Sequence, residues 1–313
     1  GSGAGEPGHL HSRATWQEID FWVRDCGLTA VRAIRAATHD AATAMGVGHE
    51  SGAISPGKIA DVIAVRGDVL RDPALLQSVD IVVKGGRRVL LYDRPNCGYS
   101  DVCLEGESES ETQADRLAGL IRHLDLGPTV IAGGSGGARV SLLAASRNPD
   151  ICSHLAIWWI SGDPIGLMQL AVYYCGEAAG LASTGGMEAV MNASSWAENF
   201  AKNPKARETI LAMDPDRFIA IMQKWASAYV ASDITPVPGM KPVDFARLTM
   251  PALVFKSHKS DLSHTETTSL WVHRMIPHSQ LVIPPWRDDE WNYQSTETGK
   301  GVAHSLFVTW PKL

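Results

Sequence analysis

The stretch TVIAGGSGGARVSLLAASRNPD, Thr129–Asp150, decides how the rest of the chain is read. Val130, Ile131 and Ala132 form a short apolar run that reads as a buried strand. Gly133-Gly134-Ser135-Gly136-Gly137 follows, and then an apolar helical pattern from Ala138 to Ser146. This is G-x-S-x-G between a strand and a helix, the setting in which the serine serves as a nucleophile. The competing reading of Ser135 is a small residue in a glycine-rich turn. The nucleophile reading explains the glycines: a serine on so sharp a turn sits on strained backbone, and flanking side chains would hold strand and helix apart. The N–H of Gly136, at the helix start, is then a donor for an oxyanion.

Composition sets the frame for that reading. The chain has 313 residues, 45% hydrophobic and 20% charged, with a net charge of -6. That is enough for one large or two modest domains with ample core. The acidic balance and the lack of a basic cluster argue against nucleic acid as a partner. No apolar run approaches the roughly 20 residues that span a bilayer, so no membrane partner is expected. The opening GSGAGEPG lacks methionine, a basic region and an apolar run, and reads as a cloning remnant or a trimmed terminus. Five cysteines (Cys26, Cys97, Cys103, Cys152, Cys175) without C-x-x-C spacing suit reduced thiols in a cytoplasmic protein.

Outward from the elbow, residues 91–313 alternate strand and helix patterns, which predicts an α/β fold with a mainly parallel sheet. RVLLYDRP (88–95) reads as its first apolar strand. In ETQADRLAGLIRHLDL (111–126), Ala114, Leu117, Leu120, Ile121 and Leu124 share one helical face. HLAIWWISG (154–162), the strand opening PALVFKSHKSD (251–261), and QLVIPPW (280–286) supply further strands. Between about 163 and 249 the pattern turns helical and rich in Met, Trp and Ala, as for a helical insertion over the strand ends.

This half resembles the α/β-hydrolase family, on the elbow and on YDRPNCGYSD (92–101), which is similar to the family's D-R-x-G-x-G-x-S segment. Within the family it is similar to meta-cleavage-product hydrolases and related esterases. The resemblance implies a lid for the insertion at 163–249. Residues 1–90 look different. GLTAVRAIRAATHDAATAMGV (27–47), SGAISPGKIADVIAV (51–65) and VDIVVKGGRRVL (79–90) resemble the C-terminal tail of an amidohydrolase. Gly52, Ile54, Pro56, Gly57, Lys58, Ala60 and Asp61 match that family's turn. The amidohydrolase barrel and the hydrolase's usual first strands, with their H-G-x oxyanion loop, are both missing. The chain reads as a fusion of two truncated families.

The hydrolase resemblance implies the order serine, acid, histidine. Asp261, in HKSDLSHT, stands where the family has its acid. His304, in GVAHSLFVTWP, is the expected base; His264 and His278 are fallbacks, the first set aside as too close to the acid and the second as preceding the last strand. Gly136 is the expected oxyanion donor. Its missing partner would typically cost about 10²–10³ in turnover, and Arg66-Gly67-Asp68, after the strand in ADVIAVRGD, is a candidate replacement. Gly134, Trp159 and Trp225 are expected at the substrate, with Trp158 and Trp196 read mainly as core. His9 and His11 form an H-x-H of the amidohydrolase metal type, but outside its strand context they read as chance surface residues. Cys97 reads as a packed thiol near the site.

The expected activity is hydrolysis of an apolar carboxylic ester or lactone through an acyl-enzyme, with no cofactor and no metal. The alternatives are a C–C bond hydrolase of the same fold and a non-catalytic scaffold. A homodimer is expected on the argument that the strands ADVIAV and VDIVV lack partners, and that the Gly85-Gly86 connection leaves too little chain to fold back.

Overall fold

Gly85 and Gly86, at φ 56° and 77°, reverse the chain between two short strands and give the N-terminal part its shape. Two successive positive φ values suit the tight hairpin turn whose twist matches that of the flanking strands. In the computed structural model, which describes residues 11–230, 235–258, 261 and 263–283, the chain divides at Tyr92/Asp93 into two compact units. The first unit holds helices α1 (His11–Arg24), α2 (Ala30–Arg35) and α3 (Ala41–Ala44), the last two joined by a π-helical turn. Thr29 caps α2 by accepting from the N–H of Arg32 at 3.3 Å. Strands β1 (Val62–Val65), β2 (Val79–Lys84) and β3 (Arg87–Val89) then form an antiparallel sheet in the order β1-β2-β3.

This corrects two expectations. RVLLYDRP does not open the parallel sheet, because Arg87–Val89 pairs with β2 instead. The strands ADVIAV and VDIVV are not without partners, because they pair with each other, with Ile63 opposite Val82. The reason is local. The two glycines let the chain fold back at once, and the Asp61 carboxylate fastens the turn, accepting from Lys84 Nζ at 2.5 Å and Gly85 N–H at 2.8 Å.

The second unit begins with a loop and α4 (Glu109–His123). Ser108 caps α4 by accepting from the Glu111 N–H at 3.2 Å. Of the face expected for this helix, Ala114, Leu117 and Ile121 are buried, whereas Leu124 at the C-terminal end is exposed. The elbow follows as β4 (Thr129–Gly134) and α5 (Gly136–Arg147), and then β5 (Cys152–Trp158). Helices α6 (Pro164–Ala171), α7 (Glu177–Val190), α8 (Ala197–Lys202), α9 (Pro204–Leu211), α10 (Pro215–Ser227) and α11 (Pro242–Ala246) come next. Strand β6 (Ala252–Phe255), helix α12 (Glu266–Met275) and strand β7 (Ser279–Val282) complete the described chain.

Strands β4 to β7 form a parallel sheet in sequence order, with Ala132 opposite Ala156 and Leu253 opposite Gln280. Helix α5 is buried almost all round through Val140, Leu142, Leu143, Ala144 and Ala145. A helix apolar on every side belongs between other elements, here α4 and the sheet. The helices α7 to α10 enclose a core of their own around Ile210, Phe218, Met222 and Trp225. Each such large side chain contributes roughly 1.5–3 kcal/mol by leaving water. These helices therefore carry a hydrophobic core of their own, against which Val102 and Leu104 also pack.

Candidate active site

The chain leaves β4 at Gly134 and enters α5 at Gly136, so Ser135 makes the whole turn, at φ 53° and ψ -121°. A non-glycine residue there is strained and persists only where its surroundings fix it. They do so on both sides. The Ser135 N–H donates to the Trp158 carbonyl at 3.1 Å, carrying the β4–β5 ladder one residue past the strand. A Cβ on Gly133 would overlap the Gly137 carbonyl, and one on Gly134 would overlap the Trp158 indole. Both glycines are there for close approach.

The loop after β6 brings two more groups to the serine. Ser135 Oγ lies 2.9 Å from His264 Nε2, and His264 Nδ1 lies 3.1 Å from Asp261 Oδ2. The other carboxylate oxygen, Asp261 Oδ1, accepts from the backbone N–H groups of Ser263 at 3.0 Å and His264 at 2.9 Å. Asp261 thus fixes the backbone that carries the imidazole as well as its ring. The two side chains are only 18% and 16% exposed. Burial pushes the Asp261 carboxyl upward, but the hydrogen bonds and charge of His264, with the two N–H groups, outweigh it and hold the group below its ordinary value. An ionised carboxylate can only accept, so the proton sits on Nδ1 and leaves Nε2 to accept from the serine hydroxyl. Trp159, itself at φ 50°, sets its ring 6.3 Å from that of His264.

Gly136 contributes the first N–H of α5, which by position has no partner within the helix. Arg94 stands beside it, its Nη1 3.2 Å from where a Gly136 Cβ would be. The loop YDRPNCGYSD holds that guanidinium in place. Asp93 Oδ2 accepts from the Tyr99 N–H at 2.9 Å, Asn96 Oδ1 from the Cys103 N–H at 2.8 Å, and Gln113 Oε1 from Arg94 Nη1 at 2.9 Å. Cys97 lines the same space. Burial raises its thiol, which keeps it from being a ready thiolate.

Ser135 and Gly136 open into a cavity of about 80 Å³ between α4, α5 and the lid helices. Trp225, Trp196, Tyr174 and Leu170 give it apolar walls, and Arg94, Arg139 and Glu109 bring charge into it. The lining thus mixes apolar and charged side chains.

Family comparisons agree with both halves of the chain. Residues 72–160 match the model of the alpha/beta hydrolase fold, and residues 8–89 match that of the amidohydrolase family. The elbow, from β4 through α5, lies within the first of these matches. Among solved structures, the chain is similar to the enol-lactonase from Burkholderia xenovorans LB400 (22% identity, 63% of this chain and 72% of that one, TM-score 0.39). It is similar also to a thermophilic esterase from Thermogutta terrifontis (24%, 63% and 71%, TM-score 0.37). A third is an alpha/beta hydrolase enzyme from a Medee basin deep-sea metagenome library (17%, 64% and 71%, TM-score 0.42). No curated protein matches the chain.

In the second unit, Ser135, Asp261 and Gly136 come together through His264, and Trp225 lines the cavity beside them. Trp159 packs near His264, and Gly134 packs against Trp158; neither lines the cavity. Arg66-Gly67-Asp68 follows β1 in the N-terminal unit. His278 is exposed in the turn before β7. His304 and His9 lie outside the described residues. His264, a fallback to His304 in the sequence reading, is the histidine that lies against Ser135 among the described residues. Its signal was the Asp-x-x-His spacing just before a helix cap, since an aspartate in such a turn accepts from the N–H groups two and three residues on.

Proposed function

We propose that this protein is a serine hydrolase that cleaves a carboxylic ester or lactone through an acyl-enzyme. The observation that carries the reading is the continuous path from Ser135 Oγ to His264 Nε2 at 2.9 Å and from His264 Nδ1 to Asp261 Oδ2 at 3.1 Å. His264, rather than His304, is the base in this proposal. Ser135 Oγ attacks the carbonyl carbon while its proton passes to His264 Nε2, and Asp261 stabilises the imidazolium. The oxyanion is held by the Gly136 N–H, with the Arg94 guanidinium adding positive charge on the same side. Collapse expels the alkoxide, which takes the proton from His264. Water activated by the same imidazole then releases the acid and restores Ser135.

A fluorophosphonate probe tests the proposal. Labelling at Ser135 that fails in the Ser135→Ala chain supports it; a folded wild type that takes no label and cleaves no p-nitrophenyl ester removes it, and leaves the scaffold reading. A homodimer belongs to the same proposal. Strand β4 lies at the edge of its sheet among the described residues, and a second copy paired along that edge would satisfy its outer backbone groups. Light scattering that returns a monomer removes this part.

A further inference from the structure

The cavity beside Ser135 gathers buried hydrogen-bond donors that nothing in the described protein accepts from. Arg139, Trp225, Ser161 and Ser195 all line it, and Arg139 Nε, Trp225 Nε1, Ser161 Oγ and Ser195 Oγ are each buried without a hydrogen-bond partner. Two of the four, the arginine Nε–H and the indole N–H, can only donate. A buried polar group without a partner is costly, and a cluster of them marks a place where something else supplies the acceptor.

Arg139 is the centre of this cluster. It is 4% exposed, and its guanidinium carbon lies 4.5 Å from the ring centre of Tyr229, which supports the cation from one face without taking a hydrogen bond. It stands four residues after Ser135 on α5, and its backbone N–H donates to the Ser135 carbonyl at 3.3 Å. Both residues line the cavity. The charge around it is unbalanced toward positive. Arg94 and Arg139 both line the cavity, while Glu109 is the one carboxyl among the described residues that does so. Glu109 accepts from Asn96 Nδ2 at 3.0 Å; burial pushes its carboxyl upward, against the opposing pull of Asn96, Arg94 and Arg139.

Taking the proposed hydrolysis as given, we infer that the substrate carries a free carboxylate, which binds Arg139 through its unpaired Nε–H while the ester or lactone carbonyl lies at Ser135. A carboxylate matches the surroundings in sign, in acceptor capacity and in shape, since a planar guanidinium pairs with it side by side. The aromatic side chains beside it then hold the hydrocarbon between the two carbonyl groups.

The test compares monomethyl adipate with methyl hexanoate, which differ by replacement of a terminal methyl with a carboxylate. Hydrolysis is followed by titration of released acid. A charged hydrogen bond in a buried site is worth about ten- to a hundredfold, so kcat/KM for the monoester acid should exceed that for the neutral ester by that factor. In Arg139→Gln the ratio of the two should fall toward one. Should that variant fail to fold, binding of adipate to Ser135→Ala, read by calorimetry, takes its place: millimolar or tighter binding supports the inference and no measurable binding overturns it. A wild type that prefers the neutral ester overturns the inference while leaving the serine hydrolase reading intact. A wild type that cleaves neither ester and takes no fluorophosphonate removes that underlying reading instead.

Discussion

His264 Nε2 lies 2.9 Å from Ser135 Oγ although 129 residues separate the two in the chain, and a single turn after β6 closes that gap. The same turn carries Asp261, three residues from His264. One short segment therefore supplies both of the partners that the proposed acyl transfer asks of the serine.

The first prediction concerns that segment. His264→Ala and Asp261→Asn should each lower ester turnover, the histidine by on the order of 10⁴–10⁶ and the aspartate by somewhat less. Ser135→Ala should do the same as the histidine change, and combining the two should cost little more, since both disable one relay. His304→Ala should retain activity near wild type. Steady-state rates on a p-nitrophenyl ester decide it; a dead His304→Ala beside an active His264→Ala would move the base to the terminal segment.

How much of this was legible in the sequence depends on how local each feature is. The elbow could be read because its glycines answer to backbone contacts: Gly133 lies against the carbonyl of Gly137 and Gly134 against the indole of Trp158. Those demands leave a fixed pattern of residue types. The hairpin at Gly85-Gly86 was equally local, yet the apolar run beyond it suggested a parallel strand, and β-branched runs do not announce which sheet they join. His264 was ranked behind His304 for another reason. Nearness in sequence to the acid was taken as a fault, whereas the N–H groups of Ser263 and His264 fold onto Asp261 and turn both side chains toward the serine. The polar cluster at Arg139 had no sequence signature at all, because α5, the lid helices and the loop after β5 meet there only in three dimensions.

Acid sensitivity gives a second prediction. The folded-state pKa of Asp261 is depressed, so its contribution to stability is present above the unfolded value of about 3.9 and fades as the pH falls through the folded value. The unfolding free energy of wild type should thus exceed that of Asp261→Asn at neutral pH, and the gap should narrow below about pH 4. Urea titrations at a series of pH values measure it. A gap that stays constant across the series would mean that the carboxylate is not held as described.

A third prediction tests the close packing under the elbow. In Gly134→Ala the new methyl group meets the indole of Trp158, which is fixed in β5 and in edge-to-face contact with Phe255 at 6.4 Å. Neither partner yields easily, so overpacking should cost about 1–3 kcal/mol and displace Ser135 from His264. Gly137→Ala is the control, because a Cβ there meets nothing within 4 Å. Thermal unfolding should rank wild type and Gly137→Ala together, with Gly134→Ala well below; equal melting of all three would refute the packing argument.

The last prediction assigns a share of the oxyanion stabilisation to Arg94. Among the described residues the Gly136 N–H is the one backbone donor evident at the serine, and an acyl-transfer site ordinarily needs a second source of positive potential. Arg94 Nη1 lies 3.2 Å from the Cβ position of Gly136 and is steadied by Gln113 at 2.9 Å. Its charge lies next to where the oxyanion forms and is set in place before the reaction begins. Arg94→Met keeps the length of the side chain and removes the charge, so kcat should fall by about 10²-fold or more with little change in KM for a neutral ester. Gln113→Leu, which frees the guanidinium without removing it, should produce a smaller loss of the same kind. If Arg94→Met instead raises KM and spares kcat, the guanidinium serves ground-state binding, and the second donor must be sought elsewhere.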